Sequence, residues 1–407
     1  MGMRRSGHSA IVVAIAVAIA IAGCSSDGDG DRDSAVESSA AVETSAAPVT
    51  TGATATTAAA TTDAPTTTEQ AATTTVAVTT TTGFTDSGWT KVVPGGDCQC
   101  ADASDFSFWV RVADPTKVVF FFQGGGACFS ADTCSFTDGA YKVTTDGGDD
   151  PTGKSGVFDF ADVRNPLADY SFVFVPYCTG DVHIGDATTT YAPDLTVQHK
   201  GYVNGNAALD SLVETFPSAT QIVVTGESAG SVPTPLYAGL VHDRLPDASI
   251  TVLADGSGAY PDVPALNTAI GTSWGATNAI PDWPENAGIT AEMWSFPGLF
   301  VQAGKHDPDI VFARHDYAYD RIQAFFAGLA GIPADDLLQL IDKNETQIEA
   351  SGIDLFSYIS PGEDHTVLGR PTFYTETVNG VALVDWVTSL VRGEPVTDQH
   401  CEECRTN

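Results

Sequence analysis

Four short apolar runs decide what this chain can fold into. They are KVVFFF at 117–122, YSFVFV at 170–175, QIVVT at 221–225 and SITVL at 249–253. All are rich in β-branched and aromatic residues, with almost no polar alternation. A strand apolar on both faces needs both faces covered, as in a parallel sheet layered between helices. Helical patterns fall between and after these runs, at 206–215, 231–245, 320–329, 334–341 and 382–392. Weaker strand signals lie at 309–313 and 356–360. This alternation predicts an α/β fold with a mostly parallel sheet flanked by helices. Residues 259–305 carry Pro, Trp and Gly with little periodicity and read as a cap-like insertion over the sheet.

The folded part begins late in the chain. Of the 407 residues, 1–83 hold no Phe, Trp or Tyr, so the domain is expected at 84–407. The first 24 residues have the pattern of an export signal. Arg4 and Arg5 precede an unbroken run of 13 Ala, Val and Ile residues at 10–22, too short to span a bilayer. The run ends in IAGC, which resembles a bacterial lipobox and marks Cys24 for lipidation. Residues 25–83 read as a disordered tether. Seventeen of the 33 residues at 50–82 are Thr, and such a stretch cannot bury enough apolar surface to order itself. The expectation is an extracytoplasmic bacterial lipoprotein that meets the membrane only through its N-terminal lipid.

Charge narrows the partners. With 18 Lys and Arg against 52 Asp and Glu, the net charge is −34. A surface this acidic repels phosphate backbones, so nucleic acid is excluded as a partner. Cysteine use fits export. Beyond Cys24 there remain Cys98, Cys100, Cys128, Cys134, Cys178, Cys401 and Cys404, an odd number that leaves one thiol over. The CxC and CxxC pairs raise zinc, but no His pair of ligand spacing lies nearby, so bridges are expected. Asp181, His183 and Asp186 form another metal-like group. Such residues more often tie loops together by hydrogen bonds. No metal and no cofactor are expected.

The sharpest chemical signal is GESAG at 226–230, placed between a strand and a helix. A nucleophile elbow needs this context. The tight turn strains Ser228, and only small residues at 226 and 230 leave room for the neighbouring backbones. The helix behind it is expected to aim its positive end at a developing oxyanion. A serine hydroxyl needs a base, and the base an orienting acid. In α/β-hydrolases these follow in the order Ser, acid, His. His242 falls in the helix after the elbow, and His306 and His315 flank the strand at 309–313. His365 follows the last candidate strand, where the base belongs. Asp316 and Asp320 both qualify as the acid, and Asp320 could instead be only a helix cap. The loop QGGGAC at 123–128 follows the strand at 117–122. The N–H groups of Gly125 and Gly126, with that of Ala229, would form an oxyanion hole. Gly124 and Ala127 would contact substrate. Cys128 and Cys134, six apart, would pin the loop. Without a GK[ST] ending the loop is no phosphate cradle.

These residues resemble the pectin acetylesterase/Notum family of serine hydrolases. The matching segments are FFQGGGACFSADTC (121–134), VFVPYCTGDVHIGD (173–186), HKGYVNGNAAL (199–209), VVTGESAGSVP (223–233), YDRIQ (319–323) and HTV (365–367). The resemblance implies an α/β-hydrolase fold and a triad of Ser228, Asp320 and His365. It also implies a bridge from Cys178 to an upstream Cys, most plausibly Cys100, beside Cys128–Cys134. One head-to-tail bridge could then form from Cys98, Cys401 and Cys404. Two departures stand out. Plant members carry Trp where this chain has Ala127, and Notum-like members carry Trp at the place of Gly126. A large aromatic that would wall the acyl site is therefore missing. The function implied is a surface serine esterase that removes acetyl or other short acyl groups, with an acylated carbohydrate or small ester as substrate. Its alternatives are a deacylase of longer acyl esters and a non-catalytic glycan-binding lipoprotein on the same fold.

Overall fold

The computed structural model describes residues 88–405, which fall in one compact unit. The expected export signal, Cys24 and the tether lie outside the described residues. The chain enters through β1 (Trp89–Val92), β2 (Phe108–Arg111), β3 (Asp114–Phe122) and β4 (Tyr170–Val175). The hairpin of β5 (Ala187–Ala192) and β6 (Leu195–His199) stands apart from the main sheet. Then come α1 (Gly201–Thr215), β7 (Gln221–Glu227), α2 (Thr234–Arg244), β8 (Ser249–Asp255), α3 (Pro264–Ser273), α4 (Phe296–His306) and β9 (Val311–Tyr317). The chain closes with α5 (Arg321–Leu329), α6 (Leu337–Glu349), β10 (Leu355–Ser360), β11 (Thr377–Val378), β12 (Val381–Ala382), α7 (Leu383–Val391) and β13 (Gln399–His400).

Nine strands form one sheet in the order β1-β2-β4-β3-β7-β8-β9-β10-β13. From β4 to β13 every neighbouring pair is parallel, while β1–β2 and β2–β4 are antiparallel. The apolar runs behave as their composition requires. In β3, Val118, Phe120 and Phe122 enter a core shared with α1, α2, α3 and α4. Val119 and Phe121 enter a second core shared with α6 and α7 on the other face. Both faces of the strand are therefore dry, which is why the run shows no polar alternation.

The topology fixes where a site can form. From β3 the chain crosses to β4 on one side and later returns to β7 on the other. Between β3 and β7 the connections diverge, and their C-terminal ends leave a crevice. The glycine loop follows β3 and Ser228 follows β7, so both open into it. The segment 259–305 is more ordered than its pattern suggests. It contains α3, α4 and short 3-10 turns at Ala276–Ala279, Pro284–Asn286 and Ala291–Met293.

Candidate active site

Ser228 sits at φ 55°, a left-handed conformation that a residue with a Cβ rarely adopts. Such strain costs about 1–3 kcal/mol and persists only where the surroundings enforce it. The enforcement is close backbone packing. A Cβ at Gly226 would collide with the carbonyls of Gly230 and Phe122, and one at Gly230 with that of Phe122. The elbow is thus clamped against the end of β3. One expectation needs correction. Ser228 opens a single 3-10 turn, Ser228–Gly230, and α2 starts only at Thr234. Pro233 and Pro235 lack the N–H that an interior helical position needs, so the α-helix cannot start earlier. The 3-10 turn therefore separates the serine from the first turn of α2.

The two candidate acids are separated by geometry. Asp320 Oδ2 lies 2.6 Å from His365 Nδ1. Its Oδ1 accepts the N–H groups of Ile322 at 2.8 Å and Gln323 at 3.1 Å. One carboxylate therefore caps α5 and orients the histidine at once. Asp316 instead accepts from Gly258 N at 2.8 Å, and Gln323 Nε2 reaches both acids. Burial pushes the Asp316 carboxyl up. With Nδ1 given to Asp320, Nε2 of His365 is left for proton transfer. It is buried and bonded to no described residue, Ser228 included. The other candidate bases are engaged elsewhere. His306 meets Asp243 at 2.7 Å, and His242 meets Asp307 at 3.0 Å.

Beneath this lies a group that the sequence analysis missed. Asp255, His315 and Ser360 terminate or lie within β8, β9 and β10, and all are fully buried. Asp255 Oδ1 lies 2.8 Å from His315 Nδ1, and His315 Nε2 lies 3.0 Å from Ser360 Oγ. Asp255 Oδ2 accepts the N–H groups of Val367 at 2.8 Å and Leu368 at 2.9 Å. The carboxylate thus holds the loop just beyond His365. The one signal available was a polar residue ending an apolar strand, SITVLAD.

The glycine loop is tied from behind. His183 Nε2 donates to the Gln123 carbonyl at 2.9 Å, and Gln123 Oε1 accepts from Tyr177 N at 3.1 Å. Burial lowers the His183 pKa to about 4, so the ring is neutral at ordinary pH. Trp274 Nε1 donates to the Cys128 carbonyl at 2.6 Å. Among the described residues, the N–H groups of Gly125 and Gly126 meet no acceptor. Gly124 packs behind Glu227 and Ser228. Ala127 lines the pocket beside Ser228. Asp181 accepts from Thr179 Oγ1, His183 N and Gly201 N, and Asp186 pairs with Lys200 Nζ at 2.8 Å. Both act as loop ties.

Ser228, Ala229, Gly126 and Ala127 border a small pocket of about 60 Å3 that opens to solvent. Its remaining wall is apolar and aromatic, with Phe129, Trp274, Phe296 and Phe326 foremost. The wall missing at Gly126 is therefore supplied from α3, α4 and α5.

Among the described residues three disulfides form: Cys100–Cys178, Cys128–Cys134 and Cys401–Cys404. The head-to-tail bridge is not made, because the two tail cysteines bond each other within one turn. Among the described residues Cys98 is the buried free thiol, pushed up to about 11 by burial and then by Asp97.

The sequence matches the profile of the pectinacetylesterase family over residues 91–276. That stretch includes the glycine loop and Ser228 but ends before Asp320 and His365. No curated protein matches the chain. Among solved structures, the Wnt deacylase Notum from Drosophila superposes with a TM-score of 0.57 at 14% identity. The match covers 77% of this chain and 96% of that one, and it shows a shared fold.

Proposed function

We propose that this chain, a serine ester hydrolase of the pectinacetylesterase family over residues 91–276, removes apolar acyl groups from carbohydrate hydroxyls. The observation that carries the reading is the bond from His365 Nδ1 to Asp320, with Nε2 left buried and unbonded. In this mechanism Ser228 Oγ attacks the ester carbonyl and His365 Nε2 takes its proton. Asp320 holds the tautomer and stabilises the imidazolium. The N–H groups of Gly125, Gly126 and Ala229 receive the oxyanion, each such donor being worth about 3 kcal/mol. Water then releases the acyl group by the reverse proton path.

The pocket bears on the acyl group. Its apolar wall, with Phe129, Trp274, Phe296 and Phe326, gives an acyl chain carbon surface to pack against. Each buried methylene contributes about 0.8 kcal/mol, so longer chains gain where acetyl cannot. This favours butyryl over acetyl, within the first of the readings drawn from the sequence, acetyl or another short acyl group. Lipidation at Cys24 would display the enzyme on the outer face of the cell membrane, a proposal resting on the IAGC end of the apolar run.

Hydrolysis of p-nitrophenyl acetate, butyrate and octanoate tests this. We expect kcat/KM to rise at least about threefold from acetate to butyrate. Highest activity on acetate would return the reading to acetyl removal.

A further inference from the structure

The C-terminal CxxC pair is the one sequence motif that the mechanism leaves unused. Strand β13 is two residues long and runs parallel to the end of β10, with Gln399 beside Tyr358 and His400 beside Ile359. Cys401 N then donates to the Ile359 carbonyl at 3.2 Å. Beyond it the Cys401–Cys404 bridge closes the chain into a tight turn. His400 lies near both sulfurs, but these are engaged in the bridge, so the three do not make a thiolate metal site. The turn aims the Cys404 carbonyl at the N–H of buried Gly362, 2.9 Å away. Gly362 has φ 104°, and its own carbonyl accepts Tyr319 N at 3.0 Å. The Arg405 guanidinium lies over the Tyr319 ring, 3.9 Å from its centre. Tyr319 precedes Asp320, and Gly362 stands three residues before His365.

We propose that this turn, residues 401–405, is a clasp that positions the acid–base pair against Ser228, with Cys404 and Arg405 as its positioning residues. The inference rests on the esterase reading and deepens it. The acid and the base sit on one block. Segment 318–321 is laced to 360–363 by Ala318 N to the Ser360 carbonyl at 2.9 Å, by Tyr319 N to Gly362, and by Arg321 N to the Glu363 carbonyl at 3.3 Å. Arg321 and Glu363 also form an ion pair, and Asp320 holds His365 Nδ1. These bonds fix acid and base relative to each other. Where the block lies relative to the serine, to which His365 Nε2 is not bonded, depends on its outer anchors. The His365 loop hangs between two of them. Asp255 holds its far side at Val367 and Leu368, and Cys404 holds its near side at Gly362. A two-residue strand at a chain end frays by itself, and the bridge keeps the Cys404 carbonyl in place. Without that carbonyl the buried Gly362 N–H has lost its acceptor, and the loop must shift to find another. A misplacement of about 1 Å in a catalytic group costs on the order of a hundredfold in rate. No residue of the turn lines the acyl pocket, so kcat rather than KM carries the effect.

The test compares the full chain with the paired variant Cys401→Ser, Cys404→Ser and with Arg405→Ala. The readouts are kcat and KM on p-nitrophenyl butyrate, with kcat counted per labelled site, and the rate constant of fluorophosphonate labelling at Ser228. Both kcat so counted and the labelling rate constant belong to the folded molecules and do not depend on their fraction. In the paired variant both should fall at least about tenfold while KM stays within about twofold. Arg405→Ala keeps the bridge and should lower both about threefold, with Arg405→Lys restoring most of the loss. Glu402→Gln, in the same turn, should change neither. A paired variant in which fewer molecules label, each at the wild-type rate, would overturn the clasp, because the bridge would then serve stability alone. If the paired variant does not fold, Arg405→Ala decides, and wild-type rates there would overturn it. A wild-type chain that neither cleaves the ester nor labels would overturn the esterase reading itself.

Discussion

Asp255 holds the loop that carries His365 without touching the ring. One of its oxygens takes two backbone N–H groups and the other faces His315, so the end of β8, the middle of β9 and the loop after β10 are joined at one carboxylate. Removing it would leave two buried donors unpaired, at about 1–3 kcal/mol each. Asp255→Ala should lower kcat at least about tenfold and change KM less than twofold, because the base is displaced while the acyl pocket stays. Asp255→Asn keeps an oxygen for the two N–H groups, and His315 can change tautomer to accept from its amide. It should therefore recover most of kcat. Steady-state kinetics on p-nitrophenyl butyrate would check both, and an unchanged kcat in the alanine variant would remove Asp255 from this role. Residue by residue, legibility followed locality. Gly226, Ser228 and Gly230 could be read because the five-residue pattern marks the turn by itself, although the carbonyl that presses on both glycines is that of Phe122 in β3. Asp255 could not, because its partners lie 60, 112 and 113 residues away.

Elements show the same division. The run 170–175 matches β4 to the residue and the other five expected runs match β3, β7, β8, β9 and β10 within a few, because strands buried on both faces are marked by composition alone; β1, β2, β5, β6 and β13 carry no such run. α3 and α4 were read as irregular because each is short, begins at or beside a proline, and lies among 3-10 turns that break the period. α6 was placed too early and too short, since its first turn follows a Pro-Ala-Asp-Asp segment that is not helical. The glycine loop is the element on which the site depends most. Gly126 has φ 79°, and a Cβ there would collide with the Ala140 carbonyl. Gly126→Ala should destabilise the domain by at least about 2 kcal/mol, from left-handed strain plus the collision. The urea midpoint at a fixed m-value reads this. A shift under about 0.5 kcal/mol would mean that the loop is softer than its ties to Cys128 and Gln123 indicate.

At the scale of the molecule, one sheet edge gathers residues scattered over the chain. The glycine loop follows β3, Ser228 follows β7, Asp320 opens α5, and His365 follows β10. The sheet order brings these ends together, and Cys100–Cys178 and Cys128–Cys134 fasten the segments around the glycine loop. The α/β layering was legible from the apolar runs. The tail bridge and the acyl pocket were not, because they depend on which loops the folded sheet brings face to face. The central claim is that this assembly activates Ser228, and covalent labelling tests it most directly. The full-length chain would be treated with a fluorophosphonate, and the modified peptide identified by mass spectrometry. The account predicts one adduct per chain, on Ser228, lost in Ser228→Ala and after unfolding in urea. An unlabelled folded protein, or an adduct on another serine, would contradict it.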